Sequence, residues 1–241
     1  MLESVRDFSQ LSSLESSPYT AKIQALFNTY GNKFQFADFW VQSLDTAVCR
    51  VDGNLTIECS EKTDYDEIKH FLNYIPYNTI SIDEKYCRIL GFDKYLSSFL
   101  VKYCGDSLNI SIEPYDNYKC VYNLLISSGF ELGDYSSFLA DFVSRINAGC
   151  AALTSYYNDS VLVATASALF IGKNDVLLGA VATEKNQRGR GYASELVKSL
   201  ASYYGREKNV YLFCREDSLA EFYEKCGFCI AGRWAQILNG K

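Results

Sequence analysis

The sequence is poor in several residue types and patterns that mark common functional classes. Its 241 residues include one His, one Met and three Pro. No run approaches the roughly 18 consecutive apolar residues of a membrane-spanning helix, so we expect no membrane partner. The opening MLESVRDFSQLSSLESS lacks the basic start and the apolar core of a signal peptide. We therefore expect a cytoplasmic protein.

Cysteine is present, but its pattern predicts neither a disulfide framework nor a metal site. The nine cysteines are an odd number and are scattered along the chain, which is typical of free thiols in a reducing compartment. Cys226 and Cys229 form a CxxC pair, but zinc requires a second pair of ligands and His70 is the sole histidine. We expect no metal, and we expect His70 to lie on a helix surface or to be satisfied in the core.

Positive charge is also in short supply. The net charge is -6, and residues 1–112 carry 10 Lys and Arg against 15 Asp and Glu. Nucleic-acid binding needs a basic face that neutralises phosphates, so we expect no nucleic-acid partner. An acidic surface suits a cationic substrate such as an amine, although it equally serves solubility alone.

Apolar spacing and turn residues predict two α/β domains, residues 1–112 and 113–241, separated at the polar, Pro-containing segment 113–117. In the first domain the predicted elements are a helix at Ala21–Tyr30, β-rich runs at Phe34–Val41 and Ala47–Cys59, a helix at Asp66–Tyr74, a strand at Thr79–Ile82, a helix at Asp83–Leu90, and strands at Ser97–Tyr103 and Leu108–Ile112. In the second they are a strand at Tyr118–Ile126, a helix at Tyr135–Ile146, strands at Cys150–Tyr157, Val161–Ile171 and Asp175–Thr183, a helix at Gly191–Tyr204, a strand at Val210–Cys214, a helix at Ser218–Cys226, and a strand at Cys229–Leu238.

The two halves share a faint order of elements. Each has strands joined by a hairpin, then a helix, a short strand, a short helix and a Gly-Phe pair, with Asp83–Phe92 standing where Ala220–Phe228 stands in the second half. This order favours an internal duplication in which the first half is degenerate. A coincidental similarity of two α/β halves is the alternative.

One segment of the second half has the composition of an anion-binding loop. Gly189 and Gly191 follow a predicted strand and precede the most regular predicted helix. Glycine lets the backbone turn tightly, and the first amides of a helix are unpaired and carry partial positive charge. A pyrophosphate suits such a place. Three cations stand beside it: Lys185, Arg188 and Arg190.

The loop resembles that of one family. Neither GxxxxGK[ST] nor GxGxxG is present, which excludes two common phosphate loops. The run Arg188-x-x-Gly191-x-Ala193 is instead similar to the [RQ]-x-x-G-x-[GA] motif of the GNAT superfamily of acyl-CoA N-acyltransferases. The run AEFYEKCGF at Ala220–Phe228 resembles the helix that follows the fifth strand in that family. The resemblance covers roughly residues 117–241.

The resemblance implies an α/β fold of the α+β type, with a mixed, strongly bent sheet and helices on both faces, preceded by a smaller α/β domain. The fourth and fifth strands, Asp175–Thr183 and Val210–Cys214, would splay apart to admit acetyl-CoA. The implied cofactor-binding residues are Val181, Ala182, Thr183, Arg188, Gly189, Arg190, Gly191, Tyr192, Ala193, Ser194 and Asp217. Asp217 stands where the family often has Asn, and helix capping is the alternative role for it.

The implied reaction is transfer of an acetyl group to a primary amine of a small molecule or peptide by direct attack on the thioester. Tyr223 resembles the family's general acid, which protonates the departing thiolate, while core packing is the alternative role. A backbone N–H near Val181 or Ala182 would stabilise the oxyanion. The candidate bases are Glu184, Asp141 and Asp175. Trp234 either lines the acceptor pocket or packs in the core.

Two further expectations concern the chain as a whole. A non-catalytic acyl-CoA-binding or sensory module with the same fold is the alternative function. The first half has no counterpart of the glycine loop, and we expect it to shape the acceptor pocket or to mediate formation of a homodimer.

Overall fold

The computed structural model describes residues 1–31, 33–106 and 117–239. Within them, eleven strands form one mixed sheet with six α-helices packed on it. The strands are β1 (Glu3–Ser4), β2 (Ala37–Ser43), β3 (Thr46–Val51), β4 (Asn54–Glu58), β5 (Thr79–Asp83), β6 (Leu96–Tyr103), β7 (Ala152–Asn158), β8 (Val161–Ile171), β9 (Asp175–Thr183), β10 (Asn209–Phe213) and β11 (Phe228–Leu238). The helices are α1 (Pro18–Tyr30), α2 (Tyr65–Tyr74), α3 (Tyr118–Ser127), α4 (Tyr135–Asn147), α5 (Tyr192–Tyr204) and α6 (Ala220–Glu224).

The strand order is symmetric about the centre of the sheet: β1-β2-β3-β4-β5-β11-β6-β10-β9-β8-β7. In each half, three antiparallel strands are followed by a helix, a parallel strand and a long final strand. The final strands are exchanged: β6 of the first half pairs with β10, and β11 of the second half pairs with β5. Each half therefore completes the sheet of the other.

Packing follows this exchange. Ala235 and Ile237 of β11 are buried in the first half's core, against strands β3 to β5 and helix α2. Val101 of β6 is fully buried in the second half's core, among residues of α5, β9 and β10. Burial of a side chain such as Ile237 is worth about 1.5–3 kcal/mol, so the exchanged strands contribute directly to the stability of the opposite half.

A polar network also joins the halves on the side of α1. The Tyr30 hydroxyl of α1 donates to the Asp141 carboxylate of α4, which forms an ion pair with Arg145. Arg145 is 6% exposed and also donates to the Leu169 carbonyl oxygen at 2.7 Å. Because these donors and acceptors are matched, the buried guanidinium is tolerated.

The predicted secondary structure is confirmed for most elements, and one prediction is wrong in type. The segment Tyr118–Ile126, rich in aromatic and β-branched residues, was expected to be a strand but forms helix α3. Its buried residues Val121, Leu124 and Leu125 have helical spacing. Asn117 caps the helix by accepting from the Cys120 N–H at 3.3 Å.

Two predicted helices are shorter than expected. Asp83–Leu90 contains only a 3₁₀ turn at Glu84–Tyr86, and Ser218–Cys226 divides into a 3₁₀ turn at Asp217–Leu219 and the five-residue α6. Each ends at a glycine in the left-handed region, Gly91 (φ 87°) and Gly227 (φ 91°). These tight reversals leave no room for a long helix before the final strand.

Some predictions fall outside the described residues or remain open. The predicted strand Leu108–Ile112 and most of the boundary segment 113–117 lie outside the described residues, and the division into domains stays a prediction. In the described part of the chain, no helix combines the length and apolarity needed to cross a bilayer.

Candidate active site

An opening in the sheet lies between β9 and β10. The two parallel strands pair from Asp175 and Asn209 as far as Leu178 and Leu212, and their pairing ends there. Beyond that point β9 continues to Thr183, whereas the Cys214 N–H donates to the Phe99 carbonyl oxygen of β6. Among the described residues, no strand pairs with the second half of β9 on its β10 side.

A bulge in β9 changes the direction of its polar backbone groups, so that some of them point into the opening. Ala180 has a φ of 50°, and two residues of β9, Ala180 and Val181, lie opposite one residue of β8, Ala166. The Glu184 N–H donates to the Val163 carbonyl oxygen of β8 at 2.8 Å. Strand alternation then directs the polar backbone groups of Val181 and Thr183 away from β8, into the opening. The bulge at Ala180 has no sequence signal, since a left-handed Ala within a strand is unusual.

The glycine loop lies at the end of β9 and leads into α5. Gly189 (φ 77°) and Gly191 (φ 88°) are both in the left-handed region, and a Cβ at either position would meet nothing within 4 Å. No side chain caps α5, and the Glu195 N–H to Gly191 carbonyl bond is its first backbone bond. The amides of Tyr192, Ala193 and Ser194 thus form the open end of the helix.

The predicted cations surround this open helix end. Lys185, Arg188 and Arg190 are exposed, and none of them forms an ion pair with a described residue. The Arg188 Nε–H donates to the Thr183 carbonyl oxygen at 3.2 Å, which ties the loop to β9. Thr183, one of the implied cofactor-binding residues, therefore already has a donor at its carbonyl oxygen.

Tyr223 is buried beside the opening. It is 6% exposed and packs edge-on against Phe222 and Phe228. Burial raises the pKa of Tyr223 well above its ordinary value of 10, and the nearby thiols of Cys214 and Cys226 raise it further. Because the neutral phenol is favoured, the hydroxyl keeps its proton at neutral pH.

Asp217 is engaged by side chains rather than capping a helix. It accepts from Ser98 Oγ at 2.8 Å and from Arg233 Nη1 at 3.1 Å, and these bonds hold the pKa of its carboxyl below the ordinary value. The residues at the cap positions are Glu216 and Leu219, neither of which makes a side-chain capping bond. The expected capping role is therefore wrong. Ser98 and Arg233 were missed because they lie far from Asp217 in sequence.

Two of the three candidate bases are held in structural contacts. Asp141 belongs to the Tyr30–Arg145 network. Asp175 is 1% exposed at the paired end of β9 and accepts from Asn209 Nδ2 at 3.1 Å. Burial raises the pKa of Asp175 to about 6. Glu184 accepts from the Asn186 N–H at 2.8 Å at the start of the glycine loop.

A row of aromatic rings connects the end of β10 to α1. Trp234 Nε1–H donates to the Cys214 carbonyl oxygen at 2.8 Å, and its ring lies 5.5 Å from that of Phe213. Tyr19 of α1 extends this row, with its ring 5.5 Å from Phe213. Trp234 therefore anchors the end of β10 and belongs to this row of rings. Sequence analysis missed Tyr19, because α1 is distant in sequence from the second half.

The remaining candidates stay outside the site. His70 is exposed on α2 and packs edge-on against Tyr74 at 4.9 Å. Cys226 is buried and Cys229 is exposed, and both are free thiols. In the ranges that the structure describes, no three His, Cys, Asp or Glu side chains are grouped as metal ligands.

The first half contains a matching place with the opposite charge. Strands β4 and β5 pair from Asn54 and Thr79 only as far as Thr56 and Ser81, so they also separate. Helix α2 follows β4, as α5 follows β9. The Asp64 carboxylate caps α2 by accepting from the Glu67 N–H at 3.1 Å. Its first turn carries Asp66 and Glu67, which complement the helix dipole and repel an anion.

Glu58 is buried where β4 ends. It is 7% exposed and accepts from the Ser17 hydroxyl. Burial raises the pKa of Glu58 to about 8 from an ordinary value of 4.5. Asp83 also raises the pKa of Glu58, whereas Ser17, Lys85 and Thr20 lower it. The folded protein therefore binds a proton at Glu58 that the unfolded chain releases near pH 4.5.

We expect Glu58→Gln to change how stability depends on pH. Because folding raises the pKa of the Glu58 carboxyl, the protonated group contributes its full stabilisation below pH 4.5. This contribution is lost as the pH rises towards 8. Gln cannot ionise, so the variant should lose less stability across that interval, by at most about 1.4 kcal/mol per pH unit. Urea unfolding at a series of pH values measures the difference. Glu61→Gln, at an exposed position, should follow the wild type, and parallel curves for Glu58→Gln and the wild type would contradict the assignment.

The comparison with protein families identifies the second half. The acetyltransferase (GNAT) family model matches residues 119–228, which include α3 to α6, the β9/β10 opening and the glycine loop. No curated protein matches the chain in sequence.

Solved structures extend the similarity in fold to the whole chain. A GNAT-family acetyltransferase from Colwellia psychrerythraea is 14% identical, covers 98% of this chain and 98% of its own, and has a TM-score of 0.56. A GCN5-related N-acetyltransferase from Kribbella flavida is 14% identical over 81% of this chain and 87% of its own, with a TM-score of 0.60. A tandem GNAT protein from the clavulanic acid biosynthesis pathway is 12% identical over 100% of this chain and 99% of its own, with a TM-score of 0.56. The chain thus has a fold of two GNAT-like halves, and its C-terminal half matches the acetyltransferase (GNAT) family over residues 119–228.

Proposed function

We propose that the C-terminal half transfers an acetyl group from acetyl-CoA to a primary amine of a small molecule or peptide. The observation that supports this most strongly is the opening between β9 and β10 beside the uncapped start of α5. The extended pantetheine arm of acetyl-CoA can pair with the free edge of β9 while the phosphates of acetyl-CoA contact the first amides of α5. The first half has a similar opening between β4 and β5, but its helix α2 is capped by Asp64.

The residues of the opening fit acetyl-CoA. The amides of the loop and first helical turn would hold the pyrophosphate, with Arg188 and Arg190 adding charge. The backbone of Val181 would pair with the pantetheine arm, and its N–H would donate to the oxygen that becomes negative during attack. Asp217 contributes indirectly, because its carboxylate is bound by Ser98 and Arg233.

The reaction needs two proton transfers, and we assign one to solvent and the other to Tyr223. A primary ammonium has a pKa near 10.4 and must lose a proton before it attacks. Asp141, Asp175 and Glu184 are all held in other contacts, so we assign this step to water at the opening. Tyr223 would donate its proton to the departing sulfur, a role that suits a phenol kept neutral by burial.

A thiol-release assay tests this function. The full chain is incubated with acetyl-CoA and a panel containing spermidine, an aminoglycoside, a free amino acid and a short peptide. We expect at least one amine to raise thiol release above the amine-free rate, with the acetylated amine detected by mass spectrometry. Acetyl-CoA binding without release for any amine would favour the non-catalytic module, and absence of acetyl-CoA binding would overturn both functions.

A further inference from the structure

A second cavity lies in the first half, where β4 and β5 separate. Its volume is about 260 Å³, and its walls come from both halves of the chain. The ends of β4 and β5 and the start of α1 form one side, and residues of β6, β10 and β11 form the other. The cavity occupies the place in this half that corresponds to the β9/β10 opening of the second half.

Two buried polar groups in this cavity lack an adequate partner. Glu58 is 7% exposed and accepts from Ser17, but no Lys or Arg among the described residues forms an ion pair with it. Tyr19 is 3% exposed, and its hydroxyl has no hydrogen-bond partner in the described part of the chain. Burial of a carboxyl group without an opposite charge, and of a hydroxyl group without a hydrogen bond, is costly.

Two lysines line the cavity together with three carboxyl groups, Glu15, Glu58 and Asp83, and both lysines are already engaged. Lys85 Nζ lies 3.6 Å from an Asp83 carboxylate oxygen and 4.7 Å from the centre of the Tyr86 ring. Lys102 Nζ lies 5.5 Å from the centre of the Tyr211 ring. Tyr86 and Tyr211 both line the cavity, so its aromatic walls are of the kind that attracts cations.

We propose that this cavity binds a small primary-amine compound in its ammonium form. The ammonium pairs with the Glu58 carboxylate and donates to the Tyr19 hydroxyl oxygen, and the carbon skeleton packs on the tyrosine rings. A volume of about 260 Å³ is suited to a small molecule. The capped, acidic start of α2 disfavours phosphate nearby. This binding is independent of whether the second half transfers acetyl groups.

Calorimetric titration of the full chain with benzylamine, without acetyl-CoA, tests the proposal at a pH just above 8. Benzyl alcohol and benzoate serve as the neutral and anionic probes of similar shape. We expect benzylamine to bind and the other two to bind at least tenfold more weakly, because only the ammonium satisfies Glu58. Absence of benzylamine binding at millimolar concentration, or equal binding of benzyl alcohol, would overturn the proposal.

Two variants assign the binding to this cavity rather than to the second half. We expect Glu58→Gln to weaken benzylamine binding at least tenfold and Tyr19→Phe to weaken it about threefold, since the second loses one hydrogen bond. Glu61→Gln, exposed and outside the cavity, should leave the affinity unchanged. Circular dichroism checks that each variant is folded, and Tyr19→Phe carries the test if Glu58→Gln is not. Unchanged binding in the folded variants would sink the proposal.

Discussion

Replacing Tyr223 with phenylalanine is expected to lower kcat by about 100-fold or more and to leave the Kd for acetyl-CoA within about threefold of the wild type. The phenyl ring keeps the contacts with Phe222 and Phe228, so only the proton donor is lost. General acid catalysis typically contributes about 10²- to 10⁴-fold to a rate. Steady-state thiol release with an active amine gives kcat, and calorimetry with acetyl-CoA gives the Kd.

A second tyrosine provides the matched control. Tyr204 on α5 packs against the same core, and burial raises its pKa to about 12. Tyr204→Phe removes a comparable hydroxyl away from the opening and should change kcat by no more than about twofold. Similar kcat values for the two variants would assign Tyr223 to core packing alone, the alternative that its burial permits.

A negative charge at the start of α5 is expected to weaken acetyl-CoA binding by about 100-fold. Gly191→Asp places a carboxylate where Asp64 caps α2 in the first half. Two unit charges about 4 Å apart near a protein surface interact by about 4 kcal/mol, and screening reduces this towards 2–3 kcal/mol. Each 1.4 kcal/mol corresponds to a tenfold change in affinity. Calorimetry with acetyl-CoA measures the Kd.

Gly191→Asn separates charge from shape. Both substitutions meet the same φ of 88° and the same open space, so both bear similar backbone strain. We expect the Asp variant to bind acetyl-CoA at least tenfold more weakly than the Asn variant, while urea unfolding gives similar midpoints for the two. Equal affinities would show that the helix start does not face the pyrophosphate.

The sequence was informative wherever a local pattern determined the structure. The strand–glycine loop–helix at Thr183–Tyr192 could be predicted because Gly189 and Gly191 are needed for positive φ values. Helix α3 was misassigned because its Tyr, Val and Ile residues favour strands, whereas Val121, Leu124 and Leu125 bury a helical face. There tertiary packing overrides local propensity.

Features that depend on contacts between residues far apart in the chain leave no comparable pattern in the sequence. The pairing of Ile80 with Ile237 joins residues at opposite ends of the chain, and nothing in either strand specifies the other as its neighbour. The bulge at Ala180 depends on β8 and the open side of β9, not on its own residue type. The same is true of the cavity at Glu58, whose walls come from both halves.

The exchange of β6 and β11 links the two halves thermodynamically. Opening the first half removes β11 from β5 and also disturbs β6, which stands between β11 and β10. A ligand that binds only the folded chain shifts the whole unfolding equilibrium. Occupancy of the β9/β10 opening therefore protects the half that has no phosphate loop, and occupancy of the Glu58 cavity protects the half that has one. Selection on either ligand would maintain both halves of the chain.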